Sequence, residues 1–234
     1  MFTARIGVVL ALLTAVLANV STVSADEKAE GFQPLFNGTD LTGWEGADKD
    51  ASACWRVEEG DLICTGQPGP WLRSSEQYGD FELRLEYKLK EGGNSGVYIR
   101  VPKDGNHHGE GSGIEIQVLD DNAERYKELK AYQYSGSLYA IVPADPRVSK
   151  PAGEWNSMTI RCSGTKYEIQ HNGQSVIKSD EVAAPELAKR LTKGFLGLQN
   201  HNEEVRFRNL RLKKLDPPAP DADTPKPATP KDEK

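Results

Sequence analysis

Three segments decide the fold: Phe81-Glu82-Leu83-Arg84-Leu85-Glu86-Tyr87-Lys88-Leu89, Val97-Tyr98-Ile99-Arg100-Val101 and Ile114-Glu115-Ile116-Gln117-Val118. In each, apolar and polar residues alternate with a period of two. Successive side chains of a strand point to opposite faces, so each segment is expected to bury one face and expose the other. The exposed set of the last two is Tyr98, Arg100, Glu115 and Gln117. If these strands are neighbours, a phenol, a guanidinium, a carboxylate and an amide share one surface. Such a surface suits a sugar ring, whose hydroxyls need donors and acceptors and whose C–H face needs an aromatic.

Strand-like segments continue on both sides. Trp55-Arg56-Val57-Glu58 turns through Glu59-Gly60-Asp61 into Leu62-Ile63-Cys64, and Glu91-Gly92-Gly93-Asn94-Ser95-Gly96 is a glycine-rich link. Residues 155–162 read as a strand that turns at Ser163-Gly164-Thr165. His171-Asn172-Gly173-Gln174 is a hairpin turn centred on Asn-Gly. Residues 195–199 and 205–212 close the body. Helical composition is confined to 184–191, with Pro185 near its start, and 121–134 reads as a long loop with a helical turn at most. Many short strands separated by turn residues, with no internal repeat, predict an all-β antiparallel sandwich or jelly roll.

The chain has 234 residues. Residues 1–25 carry one basic residue, Arg5, then an apolar run from Ile6 to Val20 and small residues before Asp26, the pattern of a secretory signal peptide. The run is shorter than the roughly 20 residues a membrane span needs, so no membrane anchor is expected and the mature protein is expected to be secreted or periplasmic. Residues 216–234 hold six prolines and no aromatic residue, and are expected to be a disordered tail. Residues 30–215 remain as a single domain. The formal charge is −6, with acidic and basic residues intermixed, so no basic stripe invites nucleic acid. Of the three cysteines, Cys54 and Cys64 flank the first hairpin; either they bridge or all three thiols are buried as small apolar residues.

Several motifs resemble the 3-keto-disaccharide hydrolase family, whose members are also described as 3-keto-glucoside 1,2-lyases and 3-keto-2-hydroxyglucal hydratases. They are Leu35-Phe36-Asn37-Gly38-Thr39-Asp40-Leu41-Thr42-Gly43-Trp44, Tyr78-Gly79-Asp80-Phe81-Glu82-Leu83, Gly93-Asn94-Ser95-Gly96-Val97-Tyr98-Ile99-Arg100 and Gly113-Ile114-Glu115-Ile116-Gln117-Val118-Leu119-Asp120. Ser135-Gly136-Ser137-Leu138-Tyr139, Gly153-Glu154-Trp155-Asn156, Gly197-Leu198-Gln199-Asn200-His201 and Val205-Arg206-Phe207-Arg208-Asn209-Leu210 complete the set. The resemblance spans the whole body and implies a concanavalin A-like jelly roll of two antiparallel sheets. It also implies cleavage of a glycoside whose C3 hydroxyl is already a ketone: removal of the acidified C2 hydrogen, elimination at C1, then hydration. Such a site needs a base near C2, donors or a cation at the developing enolate oxygen and an acid at the leaving oxygen. Ordinary glycosidases instead flank the scissile bond with two carboxylates, whereas Glu115-Ile116-Gln117 offers an amide at the second same-face position.

On this reading Glu115 is the expected base and Arg100 the expected enolate stabiliser. His201 is a proton relay, and Gln117, Asn94, Gln199, Tyr98 and Asp120 orient hydroxyls. Trp71, after the loop residues Gly69-Pro70, is a sugar platform. Each has a plainer alternative: Glu115 and Gln117 as solvated strand positions, Asn94 as a turn residue, His201 as an exposed loop histidine. The polar loop 104–112, with His107 and His108, feeds the Glu115 strand, and such loops often carry function. A divalent ion held by His107 or His108 with Asp120 and Glu115 would serve an enediolate, but the spacing matches no standard metal motif. The competing reading, from another class, is a non-catalytic lectin-like module that binds a small carbohydrate.

Overall fold

Thirteen strands account for nearly all regular structure in the computed structural model, which describes residues 23–216. The expected signal peptide and proline-rich tail fall almost wholly outside the described residues. The first sheet runs β11 (Gln174–Ser179), β10 (Lys166–His171), β9 (Asn156–Ser163), β6 (Phe81–Leu89), β13 (Glu204–Lys214), β4 (Asp61–Thr65) and β3 (Trp55–Glu58), with β1 (Gln33–Pro34) pairing on β13. The second runs β2 (Trp44–Gly46), β5 (Leu72–Tyr78), β12 (Gly194–Leu198), β7 (Asn94–Val101) and β8 (Ile114–Leu119). Every pairing is antiparallel. This is the two-sheet jelly roll that the alternating pattern predicts.

The core lies between the sheets. From the larger sheet come Leu83, Leu85, Tyr87, Ile160, Ile169, Val205 and Phe207; from the smaller come Leu72, Val97, Ile99, Ile114, Ile116, Val118, Leu196 and Leu198, all in one buried cluster. Because these positions face inward, the alternate residues Tyr98, Glu115, Gln117 and Gly197 stand on the outer face of the smaller sheet. In β6 the alternation is complete, each odd residue buried and each even one half-exposed. The Asn172-Gly173 turn joins β10 to β11 with both residues at positive φ (50° and 78°), the geometry for which Asn-Gly is favoured. The 184–191 segment forms one short 3₁₀ stretch, Pro185–Lys189. All three cysteines are free and buried. Trp55, not Cys54, pairs with Cys64 in the hairpin, and burial pushes the Cys64 and Cys162 thiols up to about 12. Among the described residues no helix is long and apolar enough to cross a membrane.

One expectation about the strands fails in an instructive way. Arg100 does not join Tyr98 and Glu115 on the outer face. Between the pairs Gly197↔Tyr98 and Phe195↔Val101, β7 has one more residue than β12, a bulge that interrupts the period of two. Arg100 sits in this bulge with φ of 53°. Its side chain is 1% exposed, donating to the Gly79 and Gly164 carbonyls and the Tyr167 hydroxyl and pairing with Asp80 at 2.8 Å. Asp80 also accepts from the Gly164 amide. Arg100 therefore ties the smaller sheet to the β9–β10 turn of the larger one and is a structural residue.

Candidate active site

The site is built on the pairing of β7 and β8, where Tyr98 lies directly opposite Glu115 and Gly96 opposite Gln117. Glu115 is 4% exposed. Its carboxyl lies across Gly96, where an added Cβ would collide with Oε1, so any side chain at this position would displace the carboxyl. Burial pushes the Glu115 carboxyl up to about 8, only partly offset by a hydrogen bond from the Gln199 side chain. Gln199, just beyond β12, also donates from Nε2 to the Tyr98 hydroxyl at 2.9 Å. Burial, reinforced by the Glu115 charge, raises the Tyr98 phenol and keeps it protonated. Gln117 donates to Asn94 Oδ1 at 2.9 Å, so these two amides hold each other beside the carboxyl. Glu115, Tyr98, Gln117, Asn94 and Gln199 thus come together as the sequence suggests.

A strap, residues 102–113, crosses this face. Its start is held by Arg73, whose Nη1 donates to the Lys103 carbonyl at 3.1 Å while Nη2 pairs with Glu45. Its end is held by Arg190, which donates to the His107 carbonyl at 3.2 Å and to Ser112 and the Gly113 carbonyl. Between these anchors His107 stacks on Tyr98, with ring centroids 4.6 Å apart, and places Nε2 3.3 Å from Glu115 Oε2. Its other nitrogen, Nδ1, lies 3.1 Å from the Gly105 carbonyl. Burial lowers the His107 value, with His108 and Arg190 adding to the effect. Burial thus favours the neutral form of each partner in the Glu115–His107 contact.

Trp71 forms the neighbouring wall. Its ring lies over Gly197, where a Cβ would strike it, and against Gly105, where a Cβ would come within 2.7 Å of the indole. It meets Tyr98 edge-on, centroids 5.4 Å apart. A cavity of about 500 Å³ opens here, lined among others by Trp71, Tyr98, Lys103, Asp104, Gln199 and Asn200. One aromatic wall with amides, a cation and a carboxylate around it is the composition expected of a neutral polyol site.

Two further expected residues are elsewhere. His201 occupies an exposed turn, its Nδ1 3.1 Å from Glu203 Oε2, and does not join the cluster. A residue in phase with Gln199 leaves the face because β12 ends at Leu198 and the chain turns away. Asp120 is taken up by the backbone, accepting from Gly92 and Asn122, and borders a separate hollow of about 930 Å³ beside Lys88 and Arg206. It therefore orients no group beside Glu115. Asp120 is thus not part of a ligand set with Glu115 and His107, and among the described residues no group of three or more His, Cys, Asp or Glu is arranged to hold a metal ion. The sequence names His107 only as an alternative to His108 in a metal site with Asp120 and Glu115, not as a direct partner of the Glu115 carboxyl. Arg190 was missed altogether, since nothing in a 3₁₀ segment 83 residues away announces its contact.

The fold has solved counterparts. A carbohydrate-binding module, CBM66 from Bacillus subtilis, superposes with a TM-score of 0.54 at 15% identity, covering 74% of this chain and 97% of that one, and shares the architecture. A structure from Parabacteroides distasonis, assigned provisionally as a glycosyl hydrolase, superposes with a TM-score of 0.72 at 27% identity, over 84% of this chain and 100% of that one. Its family and a curated relative place this jelly roll among carbohydrate-acting enzymes. More narrowly, residues 31–213 match the model of the 3-keto-alpha-glucoside-1,2-lyase-like domain, and the chain belongs to that family. A relative in Bacteroides thetaiotaomicron, a 3-keto-disaccharide hydrolase, is 30% identical over 85% of this chain and 83% of its own length.

Proposed function

We propose that this protein is an exported enzyme that cleaves 3-keto-glycosides by C2 deprotonation, β-elimination of the C1 substituent and hydration. The observation that carries the reading is Glu115: a single carboxyl, buried on a glycine floor, raised to about 8 and ringed by donors. A base with a value near the working pH is suited to removing a C–H proton that a neighbouring ketone has acidified. Lone-carboxylate chemistry also fits the absence of a second carboxylate at Gln117, which a two-carboxylate glycosidase would need.

In this mechanism the C2 proton passes to Glu115 Oε1. The C2–H electron pair forms the C2–C3 double bond, and the C3 carbonyl pair moves onto its oxygen. The Tyr98 hydroxyl, which accepts from Gln199 Nε2 at 2.9 Å and has its own hydrogen to give, supplies the donor for that oxygen, the role first expected of Arg100. Collapse of the enediolate restores the C3 carbonyl and breaks the C1–O bond; the departing oxygen takes a proton from Glu115. Water then adds across the C1–C2 double bond. Trp71 and the cavity beside it would receive the departing unit.

The test is to incubate the purified protein with 3-keto-trehalose and 3-keto-glucosides and to follow glucose or aglycone release. Turnover that Glu115→Gln abolishes, in a variant with unchanged circular dichroism, is expected. Retained turnover in that variant would refute the assignment of Glu115. Sugar binding without product from any oxidised or unoxidised substrate would establish the lectin-like alternative.

A further inference from the structure

The placement of His107 has no role in the scheme so far, yet its geometry is closely specified. Three separate constraints fix the ring: the stack on Tyr98, the Nδ1 contact with the Gly105 carbonyl and the grip of Arg190 on the His107 carbonyl. A carbonyl can only accept, so Nδ1 carries the hydrogen. That leaves Nε2 with a lone pair, 3.3 Å from Glu115 Oε2. A carboxylate and a bare imidazole nitrogen repel at this distance. The contact is favourable only if one proton lies between them.

We propose that Glu115 and His107 share a single resident proton, and that His107 acts through Glu115 by accepting that proton on Nε2 as Glu115 accepts the C2 proton on Oε1. This rests on the reading of Glu115 as the base. The balance is complete without an outside reagent. At rest the pair holds one proton and is neutral. After C2 deprotonation it holds two, one on Glu115 Oε1 and one on His107 Nε2, and the imidazolium charge offsets that of the enediolate. When the C1–O bond breaks, one proton leaves with the departing oxygen and the resident proton returns to lie between the two groups. A carboxylic acid that is protonated at neutral pH can in this way serve as a base without first losing its proton to solvent. His107 also supplies the cation that Arg100, held between the sheets, does not.

The groups facing His107 are Tyr98 beneath it, His108 at a ring distance of 4.0 Å, Glu115, and the Arg190 guanidinium on its own carbonyl. None but Glu115 reaches Nε2. The decisive variant is His107→Phe, which keeps a ring on Tyr98 and removes both nitrogens. Glu115 alone must then ionise before it can act. With a 3-keto-glucoside, kcat is expected to fall about 10-fold at pH 7, where a carboxyl at about 8 is roughly one-tenth ionised, and less than twofold at pH 9, with KM within threefold. A loss of equal size at both pH values would mean that His107 only holds the strap in place, and would overturn the proposal. So would wild-type turnover in His107→Phe or in His107→Gln, which can donate to Glu115 but cannot pass a proton.

A substrate-free measurement separates this from failure of the functional reading. Nitrogen-15 NMR of the imidazole is expected to show hydrogen on Nδ1 in the wild type and a changed Nε2 shift in Glu115→Gln. A neutral imidazole with its hydrogen on Nε2 and Nδ1 bare, or a shift indifferent to Glu115→Gln, would exclude the shared proton whatever the substrate proves to be.

Discussion

Glu115→Gln should make this protein more stable, by an amount that grows with pH. Folding moves the carboxyl from an ordinary 4.5 to about 8, chiefly through burial. Between those values the folded chain holds a proton that the unfolded chain has released, so wild-type stability is fully present below 4.5 and falls as pH rises through about 8. Taken at face value the displacement corresponds to roughly 5 kcal/mol at full ionisation, at about 1.4 kcal/mol for each tenfold step. Gln199 and water entering the cavity will soften it, and about 2–3 kcal/mol is the better expectation, since effective dielectrics at such sites exceed those of dry protein. In a domain of this size that is a difference of about 5–10 °C in Tm. Calorimetry of both chains from pH 4.5 to 9 tests it. The gap between variant and wild type should be near its minimum at pH 4.5 and widest at pH 9; any pH-independent cost of burying an amide cancels in the comparison. A gap that stays flat would mean that Glu115 is not desolvated as described. A gap of opposite sign would mean that the ionised carboxylate is held by a cation, and the acid–imidazole pair would have to be abandoned.

Gly96→Ala should cripple turnover while leaving the fold intact, because the new methyl displaces the Glu115 carboxyl; steady-state kinetics should show at least a 10-fold loss in kcat, with a stability loss of about 1–3 kcal/mol by denaturant titration. Arg100→Met should cost roughly 3–5 kcal/mol in the same titration, since it strands Asp80, yet leave KM and kcat of the folded fraction unchanged; a selective loss of kcat would return Arg100 to the site. His171 is fully buried, its Nε2 3.0 Å from the Tyr87 hydroxyl, and burial lowers it to about 4. Its folded value lies below its unfolded one, so stability should decline as pH falls from about 6.5 to 4, and His171→Gln should flatten that part of the profile. Trp71→Ala should raise KM for a 3-keto-disaccharide at least fivefold but change it little for a methyl 3-keto-glucoside, which leaves nothing against the indole.

The sandwich was legible because alternation in 81–89 survives intact in β6; β8 keeps its strand but is buried on both faces, so the exposed face expected for 114–118 is instead covered, with Glu115 and Gln117 each 4% exposed. The same alternation placed Glu115, Tyr98 and Gln117 on one face. Arg100 could not, because its position depends on one extra residue in β7 relative to β12, and nothing local in Tyr98-Ile99-Arg100-Val101 marks a bulge. His201 and Asp120 share the difficulty in another form: both sit at strand ends, where the direction of the next turn decides what the side chain meets. His107 was visible as part of a polar, glycine-rich loop, but its contact with Glu115 depends on Arg73 and Arg190 pinning the strap from remote segments. Long-range anchoring of this kind leaves no trace in spacing.

Gly96 and Gly197 also set how the Glu115 carboxyl and the Trp71 indole are seated. On adjacent strands, two residues without side chains leave a dent one side chain deep in an otherwise continuous surface, and the Glu115 carboxyl and Trp71 indole rest in it. Beside the loop-walled cavity, this seat is made by omission. Its floor is main chain, which sequence drift cannot reshape, and drift at either glycine would fill the bed from underneath. Variation in what the site accepts should therefore arise in the overlying strap, at 102–113, while the ground beneath the acid stays bare.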